Sequence, residues 1–305
     1  MTRRLTIRCP AKINTRLLVL GQRPDGYHDL DLDFTSIELS DRLELEESAG
    51  FQIEVVGASP DVVPVDENLV MRAARLLQRH VGEGRLPGAR MRLTKRIPAA
   101  AGLGGGSSDA AGALQGLDRL GRLSVPPAEM ADLALAIGSD VPFFLRGGCQ
   151  RGSGRGELLT ALPESPAADL ILLHPPRGLS TGRVFAELRR QRGMASDPLT
   201  SRKISPTFAS TPSAVAAWGA WNDLLAPAVA LDPPLEGLLD TARRLCPEAL
   251  VGLTGSGPTI FVLLQSGSDV ADVRDRLRRS LPNEVGLTTT KTLAATEYEA
   301  TRFES

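Results

Sequence analysis

The run Gly102-Leu103-Gly104-Gly105-Gly106-Ser107-Ser108-Asp109 leads into the alanine-rich Ala110-Ala111-Gly112-Ala113-Leu114. Glycines let successive backbone N–H groups turn inward with no Cβ in the way, and a helix opening near Ser107 adds free N–H groups and the positive end of its dipole. The natural guest of such a loop is an anion, a phosphate above all. Two familiar glycine signatures do not fit. The spacing G-x-G-x-x-G, started at Gly102, finds Ser107 where the third glycine belongs, and no lysine follows to make a Walker loop. The plainer alternative is a glycine turn that only caps a helix, with Ser107 or Ser108 as N-cap.

Chemistry on a bound phosphate needs charge neutralisation, positioning and a group that takes the proton of an attacking hydroxyl; an ammonium and a carboxylate together supply the last of these. Lys12, in Pro10-Ala11-Lys12-Ile13-Asn14, and Asp140, in Gly138-Ser139-Asp140-Val141-Pro142, are the candidates. Nearly all of the 35 basic residues are arginine, so each lysine stands out. Asp109 competes as the base, although in the first helical turn a carboxylate is explained by the helix dipole alone. Spacing does not show that Lys12 and Asp140 meet, and a surface lysine and a helix-end cap stay open for them. A second glycine loop, Gly252-Leu253-Thr254-Gly255-Ser256-Gly257-Pro258-Thr259-Ile260-Phe261, lies between strand-like runs. It reads either as a hairpin bend or as backbone brought close to a phosphate or to the first loop.

The elements that must carry these residues can be read from hydrophobic period. Leu5–Cys9 and Asn14–Leu20 read as two strands, with Arg23-Pro24-Asp25-Gly26 as a turn, and Asp33–Leu39, Arg42–Glu46 and Phe51–Val56 as further strands of an antiparallel start. Helical spacing appears at Glu67–Arg79, with Asp66 as N-cap, then at Ser107–Leu120 and Ala128–Ile137. Pro142 is expected to hold Val141 extended. After a hairpin-like Gly147–Glu157 and the linker Pro163–Pro166, a buried strand at Leu170–Leu173 and helices at Thr181–Arg190, Trp218–Leu224, Leu235–Leu245 and Asp269–Arg279 are expected. Strands at Leu250–Leu253, Thr259–Leu264 and Gly286–Leu293 complete the second unit, with a polar stretch over 191–213. The fold class is α+β in two domains, 1–162 and 163–305.

A formal net charge of −1 gives no electrostatic case for nucleic acid or an anionic membrane surface, so a small-molecule substrate is expected. Cys9, Cys149 and Cys246 are far apart, with no CxxC pair and no histidine beside them, which suggests neither a disulfide framework nor a zinc site and fits a reducing cytoplasm. The start of the chain lacks the apolar run of a signal peptide, and no stretch is apolar enough to span a membrane.

Pro10–Asn14, Gly102–Ser108 and Gly252–Phe261, in that order, resemble the three motifs of the GHMP kinase superfamily. Arg-Pro-Asp-Gly-Tyr-His from Arg23, Asn68–Ala74, Gly138–Phe144 and Asn222-Asp223-Leu224 extend the resemblance over most of the chain, thinning over about 190–215 and in the tail. The Tyr27-His28 turn and the Lys12/Asn14 pair narrow it to members that phosphorylate a cytidine-diphosphate alcohol on the non-mevalonate route to isoprenoid precursors. Another GHMP small-molecule kinase, or a non-catalytic nucleotide-binding relative, is the alternative. The resemblance implies an N-terminal domain like the second domain of ribosomal protein S5 and a ferredoxin-like C-terminal domain, with both substrates in the cleft between. It implies ATP as co-substrate, bound by Pro98, Gly102, Leu103, Gly104, Gly105, Gly106, Ser107 and Ser108, with Mg²⁺ expected and no protein ligand assigned to it. By matching position Asp140 is the base and Lys12 its partner. Asn14 and Thr181 line the acceptor site, while Tyr27 and Phe185 sandwich the cytosine and His28 reads its edge.

Overall fold

The computed structural model describes residues 3–57, 65–164, 166–193 and 220–304. Its first strand, β1 (Arg4–Gln22), runs unbroken where two strands were expected. Its register with β2 (His28–Glu47) shifts between Pro10 and Lys12 and again between Asn14 and Arg16. Proline has no N–H for the ladder, and a bulge absorbs that without ending the strand while re-aiming the side chains beyond it. The expected strands Asp33–Leu39 and Arg42–Glu46 are likewise both parts of β2. The Arg23–Gly26 turn closes this hairpin, with the Arg23 N–H donating to Tyr27 O at 2.8 Å and the Gly26 N–H to Arg23 O at 3.0 Å.

β3 (Gln52–Gly57) pairs in parallel with β4 (Ala89–Lys95), and β5 (Cys149–Gly154) forms a hairpin with β6 (Leu158–Ala161). β2 is long enough to pair with β4 along its C-terminal end and with β5 along its N-terminal end. On this sheet lie α1 (Leu69–Val81), α2 (Gly105–Gly121) and α3 (Pro127–Ile137), burying Leu77, Met91, Leu114 and Leu117 with Ile7, Leu43 and Leu45. The N-cap of α1 is Asn68, whose Oδ1 accepts the Val70 N–H at 2.9 Å, and not Asp66, which pairs with Arg75 at the surface. Val141 is helical (φ −63°, ψ −41°), not extended, because Pro142 opens a 3₁₀ turn, Pro142–Leu145, at the position where a missing N–H costs nothing.

The second sheet holds β7 (Asp169–His174), β9 (Leu250–Leu253), β10 (Ile260–Leu263) and β11 (Gly286–Lys291) in the antiparallel order β11-β7-β10-β9. With α4 (Thr181–Arg192) after β7 and α7 (Val270–Ser280) after β10, this is the β-α-β-β-α-β order of a ferredoxin-like unit. α5 (Leu225–Leu231) and α6 (Pro234–Leu245) join the same helical layer. Part of the expected helix at Trp218–Leu224 lies outside the described residues; the rest is a short strand, β8 (Trp221–Asn222), parallel to β1, and helix starts only at Leu225. Most of the expected polar stretch 191–213 also lies outside them. The chain leaves the first sheet between β6 and β7, yet β8 returns to it, as does the C-terminal pair α8 (Ala295–Thr301) and β12 (Phe303–Glu304), which adds to the edge of β1.

Strand alternation explains how the two sheets meet. Ile171 and Leu173 of β7 pack into the helical layer, whereas Leu170 and Leu172 join Leu250 and Phe261 against Ala11, Ile13, Ile37, Ile97 and Leu103 of the first unit. Ala11 and Ile13 thus anchor β1 to this core, and the intervening Lys12 and Asn14 are turned to the opposite face.

Candidate active site

That face opens on a cavity of about 720 Å³ between the two units. One wall is the first glycine loop. Helix α2 starts at Gly105, two residues before the expected Ser107, and its N-cap is Gly104, in the left-handed region at φ 70° with no side-chain cap. A Cβ on Gly104 would sit 2.8 Å from the Phe144 ring and 3.1 Å from Lys12 Cγ. The first-turn N–H groups of α2 are therefore left for a ligand and not spent on a capping side chain. Ser107 lines the cavity, but Ser108 is fully buried and its hydroxyl has no partner among the described residues.

The second glycine loop buttresses the first. A Cβ on Gly102 (φ 76°) would lie 2.2 Å from Thr254 O. The Thr254 hydroxyl donates to Gly102 O at 3.2 Å and accepts the Asn14 N–H at 3.1 Å, and the Thr259 N–H donates to Ala101 O. Asn222 holds this second loop in turn, its amide donating to Leu253 O at 2.9 Å and Gly255 O at 2.8 Å. Asp223 accepts from the Val19 N–H and from Arg192. Ser256 and Thr181 share a hydroxyl hydrogen bond of 2.8 Å, tying the loop to the start of α4.

Lys12 and Asp140 meet here although 128 positions separate them in the chain, with Lys12 Nζ 3.7 Å from Asp140 Oδ2. Lys12 is 4% exposed and donates to Asn14 Oδ1 at 2.5 Å. Burial pushes its ammonium pKa down, and the Asp140 carboxylate opposes that shift. Asp140 itself keeps a side-chain exposure of 36% at the cavity wall, so its carboxylate is reachable by a ligand.

Asp109 is placed differently. It is the fifth residue of α2, beyond its first turn, and its Oδ2 accepts from Lys95 Nζ at 2.6 Å. The same ammonium pairs with Asp41, whose Oδ1 accepts the Arg96 and Ile97 N–H groups just before the loop. Burial, opposed by Lys95 and reinforced by Asp41, raises the Asp109 carboxyl. Desolvation alone would lower Lys95, but the two carboxylates carry it up to about 12. This buried trio fastens both ends of the glycine loop, and Lys95 and Asp109 also border the cavity. Sequence reasoning did not assemble it. The scarcity of lysine was the available signal for Lys95, but nothing local links residues 41, 95 and 109.

Of the other expected residues, Pro98, Gly102–Gly106, Asn14, Thr181 and Phe185 line the cavity. Phe185 stacks on His28 with ring centroids 4.7 Å apart, and Tyr27 lies off the cavity wall, 52% exposed, with the Arg155 guanidinium 4.6 Å from its ring centroid. His28 Nε2 is buried without a partner among the described residues; burial, then Arg189 and Arg192, lower its pKa. Tyr27 ends the turn just before β2 begins, and it is His28, the first residue of that strand, whose ring meets Phe185.

Among the described residues no group of three or more His, Cys, Asp or Glu is placed to hold a metal ion, and no helix is long and apolar enough to cross a membrane. Residues 68–148 match the GHMP kinases N terminal domain and residues 213–283 the GHMP kinases C terminal family. The chain is 40% identical over 276 residues to the 4-diphosphocytidyl-2-C-methyl-D-erythritol kinase of Mycolicibacterium gilvum, covering 88% of this chain and 84% of the relative. It is 40% identical over 258 residues to that of Paramagnetospirillum magneticum, covering 85% and 88%. A crystal structure of 4-(cytidine 5'-diphospho)-2C-methyl-D-erythritol kinase superposes with a TM-score of 0.70 at 31% identity over 96% of this chain and 99% of that one. Homoserine kinase from Cytophaga hutchinsonii, at 16% identity and a TM-score of 0.68 over 95% of each chain, shares the fold. A glycine loop ending in an uncapped helix, buttressed by a second glycine loop and facing a lysine–aspartate pair, therefore sits in a chain that belongs to the GHMP kinase superfamily and, within it, to the 4-diphosphocytidyl-2-C-methyl-D-erythritol kinase family.

Proposed function

We propose that the chain transfers the γ-phosphoryl group of ATP to the 2-hydroxyl of 4-diphosphocytidyl-2-C-methyl-D-erythritol, with Asp140 as the base. The observation that carries this reading is the Lys12–Asp140 pair on the wall of the cavity that also takes in the free N-terminus of α2. ATP phosphates lie along Gly102–Ser107, where backbone N–H groups and the helix dipole offset their charge. The acceptor hydroxyl sits between Asp140 and Lys12. As its oxygen bonds to the γ-phosphorus, the bond from that phosphorus to the bridging oxygen breaks, ADP leaves and the proton passes to Asp140. Lys12, 3.7 Å from Asp140, steadies the negative charge growing on the oxygen. Thr181, Asn14 and Phe185 form the acceptor side, and the cytidine end reaches toward His28 and Tyr27. The expected small-molecule partners and a cytoplasmic setting belong to this reading.

The donor set suits a magnesium ion carried on the nucleotide better than a resident metal. Magnesium is held through substrate phosphates and water with one or two protein oxygens, so the absence of a carboxylate cluster among the described residues is no obstacle. The Ser107 hydroxyl, on the loop and at the cavity wall, would be one protein oxygen open to it. When bound, the ion supplies charge neutralisation at the phosphates.

Asp140→Asn tests the assignment. Turnover in a coupled assay should fall by a factor on the order of 10²–10⁴, while calorimetry shows the nucleotide binding much as before. Near wild-type turnover would remove Asp140 as the base. Transfer to mevalonate or homoserine in preference to the cytidine-diphosphate alcohol would overturn the acceptor.

A further inference from the structure

The 3₁₀ turn that follows Asp140 has its carbonyls taken by groups from three separate parts of the chain. Phe143 O accepts the Gly147 N–H at 2.8 Å and Gln150 Nε2 at 3.3 Å. Leu145 O accepts Gln115 Nε2 at 2.8 Å, from the helix that begins at the glycine loop. Phe144 O accepts the hydroxyl of Tyr298 at 2.6 Å, from α8 near the C-terminus. Tyr298 is in turn held by Arg302, whose Nη1 donates to the phenolic oxygen at 2.5 Å and to Arg8 O at 3.2 Å, and whose Nε donates to Gln115 Oε1 at 3.2 Å. Arg302 is 2% exposed and Tyr298 1%.

A buried arginine is costly unless its donors are used; Nε and Nη1 of Arg302 are spent on Gln115, Arg8 and Tyr298, while Nη2 has no partner among the described residues. What Arg302 holds is a turn whose Phe144 ring packs on Gly104, beside Lys12. We infer that Tyr298 and Arg302, together with Gln115, are positioning residues that fix the Asp140 turn against the glycine loop and Lys12. The C-terminal segment reaches no ligand itself; it sets the distance between the base and the phosphate loop from behind. The inference rests on the reading of Asp140 as the base.

Tyr298→Phe removes only the hydroxyl and keeps the ring that packs on Gly147. We expect kcat to fall about tenfold, the scale of a small misplacement of a catalytic group, with the KM for ATP and for the acceptor each within about twofold of wild type. In an Asp140→Asn background the same substitution should change kcat by less than about twofold, since no base remains to be misplaced. Leu277→Ala, buried in α7 of the other unit, controls for lost stability: at an equal fall in melting temperature it should leave kcat unchanged. If Tyr298→Phe proves unable to fold, Gln115→Leu, which removes the donor to Leu145 O, enters the same cycle with the same expectation. Unchanged kcat in the single variant, an equal fold loss in both backgrounds, or an equal loss in Leu277→Ala would each overturn the inference. Wild-type turnover in Asp140→Asn alone would instead sink the base assignment, so the two failures are told apart.

Discussion

Gly102–Gly106 and Gly252–Gly257 read alike in sequence, yet they use glycine for different ends. In the first loop, Gly104 ends a turn in the left-handed region and hands its open N–H groups to a helix facing the cavity. In the second, Gly255 and Gly257 bring backbone against the first loop; a Cβ on Gly255 would come within 3.0 Å of Gly102 O and 3.2 Å of Lys12 Nζ. On the proposed reading the first loop meets the ligand, and the second, whose Gly255 and Ser256 also border the cavity, chiefly supports the first. Glycine content alone cannot separate these uses, because both come from the same missing Cβ. The next element in the chain separates them: a helix, with dipole and free donors, comes after the first loop, and a strand after the second.

The largest effect expected from breaking this arrangement is at Gly102, where the two loops touch. Gly102→Ala would place a methyl 2.2 Å from a backbone oxygen that has no side-chain freedom to yield, at a φ of 76° that alanine resists. A loss of about 3 kcal/mol or more is expected, together with binding of both substrates, because the acceptor residue Asn14 hangs on the same Thr254 hydroxyl. Urea unfolding and binding measurements check this. A variant as stable as wild type would mean that the loops do not need their contact.

A pH effect sharpens the contrast at the far end of the second loop. His174 of β7 lies with Nδ1 3.3 Å from Thr259 Oγ1 and Nε2 3.1 Å from Thr288 Oγ1, and burial brings its pKa down to about 4. Between that value and the ordinary 6.5 the unfolded chain binds a proton that the folded chain refuses. Its contribution is therefore complete above about pH 6.5 and is lost as the pH falls toward 4, by at most about 3 kcal/mol. Asp109, raised by burial under the first loop, works in the opposite sense, so the readout is the difference between wild type and His174→Gln, not either curve alone. The variant's stability should fall less steeply from pH 6.5 to 4.5, and parallel curves would show that His174 is not the group responsible.

These contrasts also mark what the sequence could carry. Helices with a strong apolar period, such as α1 and α6, were legible to within a few residues, as were Leu170–Leu173 and the Arg23–Gly26 turn, since each depends on neighbours in the chain. Pro10 was read as an interruption because bulged pairing leaves no mark in the alternation. The N-cap of α1 was misplaced by two residues because Asp66 and Asn68 are both good capping types and only geometry chooses. At the site, the glycine loop was within reach as a motif, whereas the pairing of Lys12 with Asp140 was reachable only through the family resemblance, since 128 positions of spacing leave open whether they meet. The Lys95 trio and the Tyr298–Arg302 brace were not within reach, for they join residues from distant elements through buried charges that have no period.

The smallest effect, and the most discriminating, is expected at Gly106. Unlike Gly102 and Gly104 it has no positive φ, and an added Cβ would meet only the Leu69 side chain at 3.4 Å, an ordinary contact. It lies in the first turn of α2, where alanine is favoured over glycine by roughly 0.5–1 kcal/mol. The fold gives no reason for a glycine there. If its purpose is to let phosphate oxygens come close to the N–H groups of that turn, Gly106→Ala should hold or raise the melting temperature while raising the KM for ATP several-fold and leaving that for the acceptor unchanged. The same exchange at Gly104 would confound folding with binding, since its Cβ would push on Phe144 and Lys12. A stable Gly106→Ala variant with unchanged ATP affinity would show that the phosphates do not approach this turn, and the difference drawn between the two loops would then reduce to which of them precedes a helix.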